Sequence, residues 1–481
     1  MNKASVQTKQ FSFTKATLIV GLGGSGLSCA RYLKKHGTAI ALADAQKSSP
    51  NIEKVKKEFP EAEYFLGDFK IDEFSQYKQI IVSPGVSVRS DLFDQLREKD
   101  CFILGDIELF AQVVDKPVIA ITGSNGKSTV TTLVEKIANQ CGVKAVAGGN
   151  LGVPALDLLE TGSVLYILEL SSFQLETTYS LKTLAATVLN VSEDHMDRYD
   201  DLEDYRQVKE SIYCQTDNAV VNGDDAITMK HVLVKQLAEE YSVIVFSEQQ
   251  PQENEYGLHF FGDDCDLLKG QHKIIAAHEM KLVGRYNYLN VLAALALLEP
   301  LNLDEEKQCQ AIKDYIGLEH RCEWVAKVND VEFYNDSKGT NTGATIAAID
   351  GFDKASSVDK RTVLIAGGMG KDADFTELGQ VIHRKIKSTV LMGVDSVLIR
   401  DCVLQAGAGN DSLYMVDSMQ DAVLTANKLA EPGDVVLFSP ACASFDMYQN
   451  YQQRGDDFKE KVKQLYQTNQ QSINGALKNA S

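Results

Sequence analysis

Short apolar runs that end in small-residue turns recur along the chain, and segments of helical period separate them. The first group comprises "ATLIVGLGGSGLSCARYLKKHG" (16–37), "AIALADA" (39–45) and "QIIVSPGV" (79–86). A second starts near Pro117 and includes "VIAITGSNGKSTVTTLVEKIANQ", "SVLYILELSS" and "AATVLNVSEDHMD". A third follows "EHRCEWV" with "TVLIAGGMGKD", "STVLMGV" and "DVVLFSPACAS". Alternation of apolar strands with amphipathic helices predicts α/β units with parallel sheets. Three such units are expected: a Rossmann-like domain over 1–107, a central phosphate-loop domain over 108–317, and a Rossmann-like domain over 318–481. The polar end, "QSINGALKNAS", is expected to fray.

In open parallel sheets ligands bind beyond the carboxyl ends of the strands. Nearly every chemically suggestive residue of this chain follows such a run, so sites are expected in all three units. Gly21, Gly23 and Gly26 form a G-x-G-x-x-G between a strand and a helix, with Asp44 closing the next strand. That pattern fits a dinucleotide site and equally a turn that needs glycine for packing. The second loop, "TGSNGKST" (122–129), predicts a phosphate cradle. Backbone N–H groups of Gly123, Ser124, Asn125, Gly126, Lys127 and Ser128 would wrap the anion at a helix start. Lys127 supplies the point charge, and the Ser128 hydroxyl an oxygen for Mg²⁺. Ile121 stands where the common nucleotide loop has its first glycine, which excludes the GTPase and motor types.

Glu169 in "LELSS" and the acids Glu193, Asp194 and Asp197 follow two further strands, and Mg²⁺ takes oxygen ligands. On chemistry alone these acids rank above His195. Lys209, within the helical pattern "DYRQVKESIY", has the character of a solvated surface lysine. Asn287 and Asn290 lie at a helix start, as caps or nucleotide contacts. His320, Arg321, Asp336, Lys338 and Lys371 gather at turns of the third unit and suit an anionic ligand.

Charge narrows the partners. The chain has 48 Lys and Arg against 67 Asp and Glu, a formal net charge of −19, which disfavours a nucleic-acid surface. An anionic substrate must therefore be met by locally placed cations, metal or backbone N–H groups. The nine cysteines are dispersed with no CxxC, as in a reducing compartment. The longest apolar run, "VLAALALL", is too short to cross a bilayer, and the first fifteen residues contain no signal-type run. A cytoplasmic chain is expected.

"TGSNGKST", "ELSSFQLE", "NVSEDHMDRY", "GRYNYLN", "EHRCE", "NDSKGTN" and "SPACASFD" occur in this order over nearly the whole chain. Together they resemble the Mur ligase family, whose loop has the "TGSNGKST" form, so Ile121 becomes part of the signature. The resemblance implies an ATP-dependent ligase of peptidoglycan precursor synthesis that joins D-glutamate to UDP-N-acetylmuramoyl-L-alanine. It implies that Gly123 to Thr129, Asn287, Asn290, Arg321 and Asp336 contact ATP, with Lys127, His195, Lys209 and Arg321 catalytic. Ser128, Glu169, His195 and a carbamylated Lys209 would hold Mg²⁺, as two ions. His195 thereby rises above the acidic cluster.

The same resemblance places the UDP-substrate at Gly24, Ser25, Asp44, Ser83, Gly85 and Asn150. It places D-glutamate at Lys338, Thr340, Lys371, Ser444 and Tyr451. Ala45 and Gln46 depart from the polar, basic pair expected after Asp44. A monomer, bound to neither nucleic acid nor membrane, completes the expectation.

Overall fold

The computed structural model describes the chain apart from residues 1–8, 195, 197, 227, 230–231, 233–240, 263, 283, 353–360, 371–372 and 480–481, and apart from the side chains of 50 and 469–479. It forms two compact units: 1–257 with 269–271 and 290–312, and 258–268 with 272–289 and 313–481.

The first unit opens with β1 (Thr17–Val20), β2 (Ile40–Asp44), β3 (Glu63–Leu66), β4 (Gln79–Val82) and β5 (Phe102–Leu104). All pair in parallel in the order β3-β2-β1-β4-β5. This is the order of a dinucleotide-fold sheet, whose crevice opens where β1 adjoins β4. Next come β6 (Val118–Thr122), β7 (Ala145–Gly149), β8 (Leu165–Glu169), β9 (Ala185–Val188), β10 (Asn218–Asn222) and β11 (Ser242–Phe246). They pair in parallel in the order β11-β10-β9-β6-β8-β7. The strands β12 (Tyr256–Phe261), β13 (Asp264–Lys269) and β14 (His272–Ala276) follow.

The two parallel sheets share one unit because they share a core. A single apolar cluster runs from Ile19, Leu33 and Leu42 through Leu104, Ile107 and Phe110 to Tyr166, Leu168 and Val188. Glu108, fully buried in the joining helix Asp106–Ala111, accepts from Tyr179 N at 2.6 Å and from Ser180 N and Oγ at 2.8 and 2.6 Å. Ser28 Oγ donates to Asp157 at 2.6 Å across the same boundary.

The second unit carries β15 (Glu323–Val328), β16 (Val331–Asn335), β17 (Thr362–Ala366), β18 (Ile386–Leu391), β19 (Leu413–Met415) and β20 (Val435–Phe438). Their order is β15-β16-β20-β17-β18-β19, with the β15–β16 hairpin antiparallel and the remaining pairs parallel. Alternate residues of β17 enter different cores, Leu364 and Ala366 one and Val363 and Ile365 the other. Burial of both faces explains why "TVLIA" is apolar throughout. The last helix, Tyr451–Asn479, extends into the polar C-terminal stretch. Phe458 and Val462 anchor its first turns in the core. Among the described residues no helix is long and apolar enough to cross a membrane.

Candidate active site

β6 ends at Thr122, and the helix Lys127–Gln140 starts five residues later, so "GSNG" must turn within one loop. Gly126 makes the turn at φ 82°, and a Cβ there would lie 2.7 Å from Asn290 Oδ1. Only glycine accepts both conditions without strain. The segment after β9 braces the loop. Ser124 N donates to Asn190 O at 2.9 Å, Asn125 N to Asn190 Oδ1 at 2.8 Å, and Asn190 Nδ2 returns to Asn125 O at 3.1 Å. Ser124 Oγ and Ser192 exchange two more bonds of 2.9 and 3.0 Å. Two of the N–H groups expected in the cradle are thus spent on Asn190, which stiffens the turn. Sequence reasoning passed over Asn190 and Ser192, although both lie in a motif it singled out.

The carbonyl of Gly123 is the meeting point of two lysines. Lys127 Nζ donates to it at 2.8 Å and to Ser124 O at 2.8 Å. Lys209 Nζ donates to it at 2.9 Å from the helix Leu202–Glu210. Lys209 is 1% exposed, which corrects its sequence-based character as a solvated lysine. Burial, then the nearby Lys127 charge, hold its amine well below the usual lysine range, against the opposing pull of Asp194 and Glu169. The Tyr205 ring lies 4.5 Å from the nitrogen and walls the pocket.

Glu169, at the end of β8, is 3% exposed. Its Oε1 accepts from Asn150 Nδ2 at 2.6 Å, while its Oε2 is buried without a hydrogen-bond partner. A buried carboxylate oxygen left unpaired is costly, so the site is built for a cation. Ser128 is buried beside the same strand ends, at the first turn of the loop's helix. Hydroxyl and carboxylate oxygens are the donors Mg²⁺ prefers, so these residues fit it. Of the acidic cluster, Glu193 is exposed and Asp194 half-buried, while His195 and Asp197 lie outside the described residues. Among the described residues no group of three His, Cys, Asp or Glu gathers at metal distance.

The first glycine loop is built for packing. A Cβ at Gly26 would stand 2.0 Å from Gly21 O, whereas Gly24 and Gly85 face open space. Ser83 Oγ donates to Gly21 O at 2.7 Å, joining the ends of β1 and β4. Asp44 spends both carboxylate oxygens on the backbone, accepting from Leu22 N and Gln46 N at 2.9 Å each. Beside Ser25, the buried Asp106 accepts from Gln174 Nε2 at 3.1 Å, and burial raises its carboxyl above the usual range. Gly24, Ser25, Asp44, Ser83 and Gly85 thus gather at the ends of β1, β2 and β4, while Asn150 sits with Glu169 beyond β7.

In the second unit, Asp336 follows β16 and accepts from Ser439 Oγ at 2.7 Å and Cys322 N at 3.2 Å. Burial pushes its carboxyl up to about 6, partly offset by Ser439 and the Arg321 charge. Asn287 is buried at the start of the helix Arg285–Leu298. Lys338 Nζ lies 3.9 Å from the centre of the Tyr451 ring, and Thr340 N bonds Lys338 O at 2.8 Å. Ser444 is buried in the turn after β20. Arg454, which sequence reasoning missed, ties these turns together. It donates to Ser337 Oγ and O at 3.1 and 2.9 Å and to Cys442 O at 3.0 Å. Lys371 lies outside the described residues. Before it, Gly368 packs on Cys442 and Ala443, and Met369 and Ala443 form a bridge.

Known proteins resemble this chain over nearly its whole length. The family profile described as Mur ligase MurD-like, N-terminal domain matches residues 15–105, Mur ligase middle domain 121–298, and Mur ligase, glutamate ligase domain 320–442. A UDP-N-acetylmuramoylalanine--D-glutamate ligase from Nitrosococcus oceani is 46% identical over 93% of this chain and 96% of its own length. One of the same name from Marinobacter nauticus is 44% identical over 94% and 98%. Among solved structures, a UDP-N-acetylmuramate-alanine ligase from Thermotoga maritima shares the fold at 18% identity, with TM-score 0.56 over 94% of this chain and 99% of that one. A pseudomurein peptide ligase type C from Methanothermus fervidus does so at 15% identity, with TM-score 0.55 over 88% and 96%. The chain belongs to the Mur ligase family, with its three-domain α/β architecture.

Proposed function

We propose that this chain uses ATP to join D-glutamate to UDP-N-acetylmuramoyl-L-alanine, a step of peptidoglycan precursor synthesis. The observation that carries it is the convergence at the phosphate loop. Lys127 and Lys209 meet on Gly123 O, beside a buried glutamate with an unpaired oxygen.

A carboxylate oxygen of the substrate's L-alanine attacks the γ-phosphorus of ATP, forming an acyl phosphate and releasing ADP. The D-glutamate nitrogen, as the free amine, then attacks the carbonyl carbon. The tetrahedral intermediate collapses with loss of phosphate, which keeps the oxygen donated by the carboxylate. Lys127 and the loop N–H groups hold the transferring phosphoryl group, and preorganised donors of this kind are worth most where charge develops. Asn287, Asn290, Arg321 and Asp336 are assigned to the nucleotide. Lys338, Thr340, Lys371, Ser444 and Tyr451 are assigned to D-glutamate.

Ser128 and Glu169 are assigned to Mg²⁺, which when bound supplies charge neutralisation to the phosphoryl oxygens. His195 is assigned to a second ion. Lys209 carries the ion's remaining oxygens if its neutral amine adds CO₂ and loses a proton to give a carbamate. A buried lysine with a depressed pKa is the form that reaction needs. Gly24, Ser25, Asp44, Ser83, Gly85 and Asn150 receive the UDP-substrate. Domain boundaries near 107 and 317, a monomer and a cytoplasmic location complete the reading.

Substrate labelled with ¹⁸O in its terminal carboxylate tests it. One labelled oxygen must appear in the released phosphate, and phosphate carrying none contradicts the acyl-phosphate route.

A further inference from the structure

Arg198 closes the segment "NVSEDHMDR" and has no place among the substrate, nucleotide and metal positions assigned above. Its guanidinium donates to Pro84 O at 3.0 Å, Val86 O at 3.4 Å and Glu176 Oε2 at 2.8 Å. It lies 3.9 Å from the centre of the Phe173 ring, and its Nε is buried without a partner. The Glu176 side chain, 5% exposed, also takes Arg89. Arg89 in turn pairs with Asp204, Nη2 to Oδ1 at 3.1 Å.

These contacts join two places with different duties. Pro84 to Val86 is the turn after β4, next to Ser83 and containing Gly85. Asp204 lies in the first turn of the helix Leu202–Glu210, whose last turn carries Lys209. Ser192, six residues before Arg198, braces Ser124 of the phosphate loop. A continuous set of hydrogen bonds and ion pairs therefore links the Pro84–Val86 turn to the helix that carries Lys209, one support of the phosphate loop, all within the first unit. Arginine suits this junction, because its fixed fork of donors spans two carbonyls and a carboxylate at once.

We propose that Arg198 is a positioning residue that couples the Ser83–Val86 turn to the phosphate loop, so that bound UDP-substrate sets the geometry of phosphoryl transfer. The inference rests on the assignment of Ser83 and Gly85 to the UDP-substrate. A residue that served only as a staple would contribute stability and leave the kinetics of the folded enzyme alone. A positioning residue moves both the KM for one substrate and kcat.

The test compares Arg198→Ala, Arg198→Lys and Ser83→Ala in full kinetics for each substrate, alongside thermal melting. Arg198→Ala is expected to raise the KM for UDP-N-acetylmuramoyl-L-alanine at least tenfold and lower kcat at least tenfold, with the KM for ATP within twofold. Arg198→Lys keeps the cation over Phe173 but spans fewer acceptors, and is expected to recover part of both losses. It carries the comparison alone if the alanine variant does not fold. Ser83→Ala is expected to raise the same KM. Arg198 variants that lose melting temperature while keeping kcat and every KM overturn the positioning role. An unchanged KM in Ser83→Ala overturns instead the assignment beneath it.

Discussion

Lys127 and Lys209 place their terminal nitrogens on one acceptor, the carbonyl oxygen of Gly123, at 2.8 and 2.9 Å. Burial, reinforced by the neighbouring Lys127 charge, holds the Lys209 amine well below the usual lysine range.

Lys209→Met should separate stability from function. The folded amine titrates below the unfolded value of about 10.4, so between those two pKa values the unfolded state holds the extra proton. Wild-type stability then rises with pH through that window, and the methionine variant lacks this dependence. In CO₂-free buffer the stability difference between the variant and wild type should change by up to ~1.4 kcal/mol per pH unit, in favour of wild type, as pH rises towards the unfolded value. Denaturant titrations across that range check it, and a difference independent of pH would mean the lysine is charged in the fold. The variant should be inactive, and Lys209→Ala should recover partly with added short-chain carboxylates.

Lys127→Ala should lose about a hundredfold to a thousandfold in turnover, the roughly 3–4 kcal/mol of one preorganised donor. Turnover near wild type at saturating ATP would remove Lys127 from the phosphate site. Glu169→Gln should raise the Mg²⁺ concentration for half-maximal activity at least tenfold, read by titrating the metal at fixed ATP. An unshifted titration would place the metal elsewhere.

Gly126→Ala forces a side chain into a left-handed turn and against Asn290. The expected cost is about 1–3 kcal/mol of stability, together with a raised KM for ATP. Chemical denaturation and ATP kinetics report the two effects separately, and an unaffected KM would detach Gly126 from the nucleotide.

Asp336→Asn tests the raised carboxyl. With a folded pKa of about 6 against about 3.9 unfolded, the folded state holds more protons between those values. Stability falls as pH rises through that window and remains lowered above it. The asparagine variant should therefore melt higher than wild type near pH 7, with the gain vanishing below about pH 4. If the ionised form holds the nucleotide, the acid limb of the wild-type ATP kcat/KM profile lies near pH 6 and is absent from the variant's. A wild-type profile flat from pH 5 to 8 would contradict this.

Local patterning made the strands and both glycine loops legible, because a buried parallel strand followed by a turn and a helix is written in consecutive residues. The environment of Lys209 was not, since "DYRQVKESIY" gives its helix a polar period and the burial comes from Tyr205 and the loop beyond β6. Asn190 and Arg454 escaped for the same reason, as each braces turns distant in sequence. The merging of the first two sheets into one unit depends on a shared core that no single segment displays.

The central claim is ATP-dependent ligation with a defined acceptor and donor. Phosphate release and product mass should be measured with ATP, Mg²⁺ and UDP-N-acetylmuramoyl-L-alanine against D-glutamate, L-glutamate, L-lysine and meso-diaminopimelate. Release that requires both the UDP-substrate and D-glutamate, with a product heavier by one glutamyl residue, is the expected result. Release without the UDP-substrate, or with another amino acid in preference to D-glutamate, would contradict it.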